Sequence, residues 1–186
     1  FPENLNPLGD TVWAYVVTFE KMGYVKDSDA DDINYDDLLK ELKEDSKKAN
    51  EERVKQGMST LELIGWAQKP FYDNKNKVLH WAKEYKSENS ESHTLNYDIR
   101  ILGRRGVLSL DAVADMSYLP DVKSNIDQII KMAEFTEGNK YKDFNPSTDE
   151  IAAWTIGGLV AGKVLAKVGL WAFLAKFIKI IFIGLI

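Results

Sequence analysis

Two histidines are the residues of this chain with the most versatile chemistry. His80 lies in a run typical of a strand, VLHWAKEY, and His93 directly precedes the next such run. If those strands are neighbours, both imidazoles and a carboxylate from Glu84 or Asp98 could form the two-histidine, one-carboxylate metal site of a hydrolase. No HExxH or HxH spacing fixes that geometry, so structural or surface histidines are the favoured interpretation.

An acidic run, KDSDADDINYDD, offers a second kind of site. Asp27, Asp29 and Asp31 have the alternate spacing of an EF-hand calcium loop. That loop also needs glycine at its sixth position and glutamate at its twelfth, where this chain has Asp32 and Leu38. The pattern therefore favours a solvated turn that caps the following helix. Adventitious binding of Ca²⁺ or Mg²⁺ by these aspartates, as a small binding module, is the alternative.

A glycine-bracketed pair of arginines is the third candidate. The tetrapeptide Gly103-Arg104-Arg105-Gly106 predicts a hairpin tip that carries two guanidinium groups, with Arg100 close in sequence. Such a tip could bind a carboxylate or phosphate on a partner. The favoured alternative is an ordinary turn whose arginines pair with surface acids. Arg100, Arg104 and Arg105 are therefore the candidate partner-binding residues.

Several classes of chemistry are excluded by what the sequence lacks. The chain has no cysteine, which excludes disulfides, thiolate catalysis and cysteine-based metal sites. It also has no GxSxG elbow and no glycine-rich phosphate loop of the GxGxxG or GxxxxGK type. The sequence thus predicts no catalytic residue and no cofactor.

The segments that would position these residues predict an α+β fold. Alternation in the first arm of the hairpin, where Leu95, Tyr97, Ile99 and Ile101 are separated by polar residues, is typical of a half-buried strand. The order β-α-β-β-β-β-α indicates an antiparallel sheet flanked by helices. The predicted strands lie near residues 12–19, 61–67, 78–85, 93–102 and 107–116, and the predicted helices near 35–56 and 120–135.

The first predicted helix carries capping signals at both ends. Asn34 or Asp32 can accept hydrogen bonds from its first backbone N–H groups. Asp36 and Asp37 favour the positive end of its dipole, and Gly57 suits the position just past its C-terminus. We expect one compact domain over residues 1–148.

Residues 149–186 form an apolar C-terminal tail. From Ile151 to Ile186 the chain has no proline, no acid and four lysines. A helix needs roughly 20 mostly apolar residues to cross a bilayer core, so the tail predicts a C-terminal hydrophobic membrane helix. Because the chain begins at Phe1 without a signal sequence and stops inside this apolar run, we expect it to be part of a longer precursor.

Small residues and lysines share the tail. The predicted packing stripe for another membrane helix is a small-xxx-small series made of Gly157, Gly158, Gly162, Ala166 and Gly169. A lysine in mid-membrane costs about 2.5–3.5 kcal/mol on insertion scales, so the lysines need partners or headgroups. The predicted intramembrane charges are Lys163, Lys167, Lys176 and Lys179.

Three arrangements of the tail could satisfy the lysines. In the favoured one, the span begins near Ile151, Lys163 and Lys167 face a protein partner or an aqueous path, and Lys176 and Lys179 reach headgroups. In the second, residues 151–175 lie partly in the interface as an amphipathic helix. In the third, a bend at Gly169 forms a re-entrant hairpin.

Charge is divided unevenly along the chain. All 29 acidic residues and 20 of the 24 basic ones lie in residues 1–150, which gives that part a formal charge of −9 and the tail +4. An acidic domain is repelled by nucleic acid and by an anionic bilayer surface. We therefore expect no nucleic-acid partner.

Five phrases of the sequence together resemble a bacterial family of membrane-anchored proteins classed as a domain of unknown function. They are GYVKDSDA, ANEERVKQG, GWAQKPFYD, LNYDIRILGRRGVLSL and FTEGNKYKDFNPSTDEIAAW. The resemblance implies a signal peptide, an extracytoplasmic domain and a C-terminal membrane segment. It implies no activity and no catalytic residue.

The sequence thus favours a membrane-anchored extracytoplasmic scaffold or accessory subunit of a membrane complex. Its expected partners are the lipid bilayer and either further copies of itself or other membrane subunits. A helical anchor indicates the bacterial inner membrane, with the domain on the periplasmic side. The alternatives are a metal-dependent hydrolase centred on the two histidines and a calcium-binding module.

Overall fold

Seven strands and three α-helices make up the part of the chain that the computed structural model describes, residues 14–164. The strands are β1 (Tyr15–Glu20), β2 (Tyr24–Lys26), β3 (Leu61–Asp73), β4 (Val78–Ser87), β5 (His93–Leu102), β6 (Val107–Asp115) and β7 (Ile151–Thr155). The helices are α1 (Tyr35–Lys55), α2 (Leu119–Lys131) and α3 (Ile156–Ala161), with 3₁₀ turns at Met116–Tyr118 and Tyr141–Asp143.

The central sheet has five antiparallel strands in the order β1–β6–β5–β4–β3. Three consecutive hairpins, β3–β4, β4–β5 and β5–β6, supply its middle, and β1 pairs with β6 at one edge. The predicted α+β class, with an antiparallel sheet and helices, is confirmed for this domain.

One face of the sheet packs against α2. The alternate residues of β5 that the sequence predicted to point inward are buried there, and they contact Val122 and Ile129 of α2. Because Val122 is completely buried and Ile129 is 4% exposed, the helix covers this face with a continuous apolar side. The β5 residues on this face are Leu95, Tyr97, Ile99 and Ile101.

The opposite face is covered by elements from distant parts of the chain. Leu79 and Trp81 of β4 lie there, beneath α1, β2, β7 and α3. Strands β2 and β7 form a separate parallel pair. Gly23, which directly precedes β2, has a φ of +89°. Its backbone lies so close to Glu150 that an added Cβ would be 2.9 Å from the Glu150 carbonyl oxygen. That position therefore requires glycine.

Helix α1 begins and ends where its capping signals predict. The Asn34 side chain accepts hydrogen bonds from the Asp36 and Asp37 N–H groups at 3.1 and 3.2 Å. Gly57 adopts a left-handed φ of +70°. The N–H of Met58 donates to the Arg53 carbonyl at 2.9 Å, which closes the helix in a Schellman motif.

The start of the apolar tail has a different structure from the predicted membrane helix. Ile151–Thr155 is strand β7 and Ile156–Ala161 is helix α3, which ends at Gly162 with φ +70°. The apolar side chains of this segment fill the second core, where they join residues of α1 and β2 in covering that face of the sheet. In residues 14–164 no helix is long and apolar enough to cross a membrane. The remainder of the predicted helix lies outside the described residues.

We expect α3 to contribute to the stability of the domain. Ile156 is fully buried, so Ile156→Ala should lower the free energy of unfolding by about 2–5 kcal/mol. Urea unfolding of the full chain, followed by tryptophan fluorescence, measures this. Val164→Ala is the matched control, because Val164 is 53% exposed and its truncation should cost less than about 0.5 kcal/mol. Equal effects of the two substitutions would contradict the placement of α3 in the core.

Candidate functional site

The structure separates the two histidines. His80 of β4 lies opposite Ile99 of β5, whereas His93 lies opposite Lys86. The two positions are therefore six residues apart along β4, which is roughly 20 Å at the rise of a strand. The two-histidine centre considered as the alternative is therefore not assembled, because the register of β4 and β5 holds the two positions apart.

Each histidine has its own partner instead. His93 Nδ1 lies 2.5 Å from Glu84 Oε1. Of the three groups considered for a metal site, one histidine and one carboxylate are therefore in contact. His80 Nδ1 is hydrogen-bonded to the Tyr97 hydroxyl at 3.0 Å. Burial lowers the pKa of His80, so its imidazole is neutral at pH 7.

The acidic run uses its aspartates to hold the domain together. Asp27 accepts hydrogen bonds from the Tyr72 hydroxyl and the Lys77 ammonium, each at 2.7 Å. Burial alone would raise the pKa of Asp27, but the bonds from Lys77 and Tyr72 lower it. Asp29 accepts from the N–H groups of Ile156 and Gly157 at 3.2 and 3.1 Å, and so caps α3.

The acidic run caps the helix that follows it, α1, as predicted. It also caps a second helix, α3. Asn34, at the end of the run, caps α1, and Asp29 caps the distant α3. Asp31 is exposed. Within residues 14–164 no group of three or more histidine, aspartate or glutamate side chains is arranged to hold a metal ion.

The two arginines of the hairpin tip pair with one buried carboxylate. Arg104 donates to Asp149 through Nε at 2.6 Å and Nη2 at 3.1 Å, and through Nη1 to the Gly138 carbonyl at 3.0 Å. Arg105 Nε lies 3.3 Å from the same carboxylate, whose side chain is 1% exposed. The hydrogen bonds from Arg104 hold the pKa of Asp149 well below its usual range. The tip is thus fixed to the segment that precedes β7.

Arg100 is also occupied within the domain. Its Nη1 donates to Asp111 at 2.5 Å and its Nη2 to Asp98 at 3.3 Å, so the guanidinium bridges two adjacent strands. It also lies 5.2 Å from the ring centre of Trp81. Burial raises the pKa of Asp98, while the charges of Lys83 and Arg100 oppose that rise. Because the Arg100 side chain is 15% exposed, its contacts favour a structural role.

The first residues of the predicted membrane stripe belong to the core of the domain. Gly157 and Gly158 are buried in α3, and Gly162 ends that helix. Lys163, predicted as an intramembrane charge, instead pairs with Glu41 at 2.9 Å and with Asp45 at 2.6 Å on α1. The other predicted members lie outside the described residues: Ala166, Lys167, Gly169, Lys176 and Lys179.

A groove of about 1030 Å³ lies beside α2, and sequence reasoning did not find it. Its floor contains His80 and the ends of β4 and β5, and one wall is the side of α2 that carries Ile126 and Ile130. The opposite wall contains three stacked rings. The Tyr24 ring centre lies 4.4 Å from that of Tyr141 and 3.9 Å from that of Phe144.

Lysines surround this groove, which we call the lysine-rimmed groove. The lining residues include five lysines, namely Lys75, Lys77, Lys131, Lys140 and Lys142, and three acids, namely Asp73, Asp127 and Glu134. Lys77 pairs with Asp27, and Lys140 pairs with Glu134 and Glu137. The sequence contains one indication of this groove. It is the run NKYKDF at residues 139–144, which combines lysines with aromatic residues.

The comparisons with known proteins identify a family. The family model described as protein of unknown function (DUF2167) matches residues 1–186. The chain belongs to this family. A search of curated proteins and a search of solved structures found no match. Membership agrees with the resemblance to a domain of unknown function that the sequence phrases indicate.

We expect the buried Asp149 to stabilise the domain in a pH-dependent way. A carboxylate whose folded pKa lies below its ordinary value of 3.8 stabilises fully above that value, and the contribution disappears as the pH falls through the folded pKa. Asp149→Asn should therefore lower the urea midpoint at pH 7. The difference from the unmodified chain should shrink below about pH 4.

Arg105→Ala serves as the control for this prediction. Its side chain is 55% exposed and its contact with Asp149 is longer than that of Arg104, so we expect little change at either pH. Equal urea midpoints for Asp149→Asn and the unmodified chain at pH 7 would show that the buried ion pair adds nothing over a neutral amide.

Proposed function

We propose that this family member is a non-enzymatic scaffold or accessory subunit of a membrane protein complex. In this proposal its C-terminal apolar sequence anchors it in a bacterial inner membrane, and the domain lies on the extracytoplasmic side. The observation that carries the proposal is the attachment of Lys163, the first lysine of the apolar tail, to the surface of α1.

The position of Lys163 supports a rigid connection between the domain and its anchor. Its ammonium contacts Glu41 and Asp45, and the preceding helix α3 is buried through Ile156 and Val160. The sequence after Lys163 still supplies 23 residues with no acid, which is enough for one span. An anchor that starts directly at a packed helix would hold the domain at a fixed height, as a scaffold requires.

The contacts of the candidate side chains support binding rather than catalysis. The three arginines, Asp27 and Asp29 are engaged in hydrogen bonds within the domain. His80 and His93 lie too far apart to act together. The lysine-rimmed groove remains as a concave surface with both charge and apolar area, which is the usual composition of a binding site.

We expect the full chain to be extracted from its native membrane as part of a defined complex. The mass of the assembly in mild detergent, with its components identified by mass spectrometry, checks this. A homo-oligomer or a complex with other membrane subunits supports the proposal. A monomer without a stable partner contradicts it.

Two lysine variants, tested in the same experiment, distinguish a lysine that contacts a membrane partner from one that contacts the domain. Lys167→Met removes a charge that the proposal places against a membrane partner, so we expect it to weaken the complex and leave domain stability unchanged. Lys163→Met removes a charge that the α1 carboxylates neutralise, so the complex should persist while domain stability falls slightly. The opposite pattern would contradict this assignment of the two lysines.

A further inference from the structure

We propose that the lysine-rimmed groove binds an extended peptide segment of a partner protein in which acidic residues alternate with apolar ones. This inference rests on the proposed function, because it names the class of partner that a scaffold of this shape would hold. Charge, apolar area and shape each contribute to the argument.

The charge of the groove is opposite to that of the domain. Lys75, Lys131 and Lys142 form no ion pair with any residue in the described part of the chain, and all three are exposed. Residues 1–150 carry −9 overall, whereas the groove lining, with five lysines against Asp73, Asp127 and Glu134, carries a formal charge of +2. Such a patch attracts and orients an anionic partner.

The three unpaired lysines stand on separate elements around the groove. Lys75 is in the β3–β4 turn, where its backbone N–H donates to Asp73 at 2.9 Å. Lys131 is the last residue of α2, and Lys142 is in the 3₁₀ turn Tyr141–Asp143. Cations placed around a concavity suit a ligand that lies inside it with acidic groups along its length.

Part of the groove lining is apolar and aromatic. Ile126 and Ile130 of α2 are half-buried and line it. Phe71, which is 55% exposed, lies edge-on to His80 with ring centres 5.5 Å apart. Because the His80 imidazole is neutral, this floor can accept apolar side chains without burying a charge.

An extended peptide matches both features. Successive side chains of a strand-like segment point to opposite sides, so apolar residues can enter the groove while acids reach the lysines at its rim. Stacked rings such as those of Tyr24, Tyr141 and Phe144 provide rigid apolar area, which is common in protein-binding sites. Free phosphate would use the lysines and leave the apolar residues uncovered. A phospholipid has one headgroup and would not place acidic groups beside lysines on three separate elements, so the peptide is favoured.

The test uses the full chain in phosphatidylcholine nanodiscs and four soluble probes. Three are fluorescein-labelled decapeptides with alternating Glu-Leu, Lys-Leu or Glu-Ser sequence, and the fourth is dihexanoyl phosphatidylglycerol. Fluorescence anisotropy gives the peptide affinities, and displacement of the Glu-Leu peptide gives the affinity of the lipid. We expect the Glu-Leu peptide to bind at least about tenfold more tightly than the other three probes.

Charge reversal locates the binding site. Lys75→Glu with Lys142→Glu should weaken binding of the Glu-Leu peptide at least about tenfold. Lys21→Glu with Lys86→Glu makes the same change in net charge at exposed positions outside the groove, and should weaken it much less. Equal losses in the two double variants would overturn the proposal.

Each remaining outcome also decides the question. Absent Glu-Leu binding, or equal binding of Glu-Leu and Lys-Leu peptides, overturns the proposal. Stronger binding of the short lipid, lost on groove charge reversal, assigns the lysines to a headgroup instead. If the groove variants lose the peptide and the native-membrane complex persists, the scaffold function stands without the groove. If peptide binding is confirmed and no complex is extracted, the proposed function fails separately.

Discussion

The burial of two faces of one sheet is the constraint on which the rest of this structure depends. A single amphipathic helix, α2, covers the first face, but the second face presents Leu79, Trp81, Leu102 and Val107 and needs cover of its own. Distant segments meet there because each supplies a few apolar side chains that no local neighbour would bury. Once β2, β7 and α3 lie on that face, the acidic run and the hairpin tip are brought against them.

The polar contacts follow from this arrangement of the apolar segments. Asp29 caps α3 from a position 127 residues earlier in the chain, and Arg104 reaches the buried Asp149 just before β7. The Tyr141 hydroxyl donates to the Val25 carbonyl at 3.0 Å, which places the aromatic wall of the groove beside β2. Buried charges and helix ends cost free energy when they lack partners, so these contacts fix the positions of segments that packing alone would leave less defined.

The sequence predicts the local features of this fold well and its long-range features poorly. The alternation around Tyr97 and the caps at Asn34 and Gly57 depend on neighbouring residues, so they could be recognised before the structure. The apolar run that starts at Ile151 could not be interpreted in the same way, because apolar side chains indicate burial without distinguishing a protein core from lipid. The groove could not be located from the sequence either, since stretches near residues 24, 71–80, 101–102, 126–135 and 140–144 meet to form it and the run NKYKDF is only one of them.

The distribution of ion pairs gives the groove its distinct electrostatic character. Along α1, lysines at positions 40, 47 and 55 each pair with an acid three residues earlier, so their fields largely cancel on that surface. Lys75, Lys131 and Lys142 form no such ion pair within the described part of the chain, and they line a concavity that also contains the apolar residues Ile126 and Ile130. Low-dielectric walls and a concave shape focus the potential of a charge cluster. The proposed attraction of an acidic segment is therefore confined to one part of a domain whose net charge is negative.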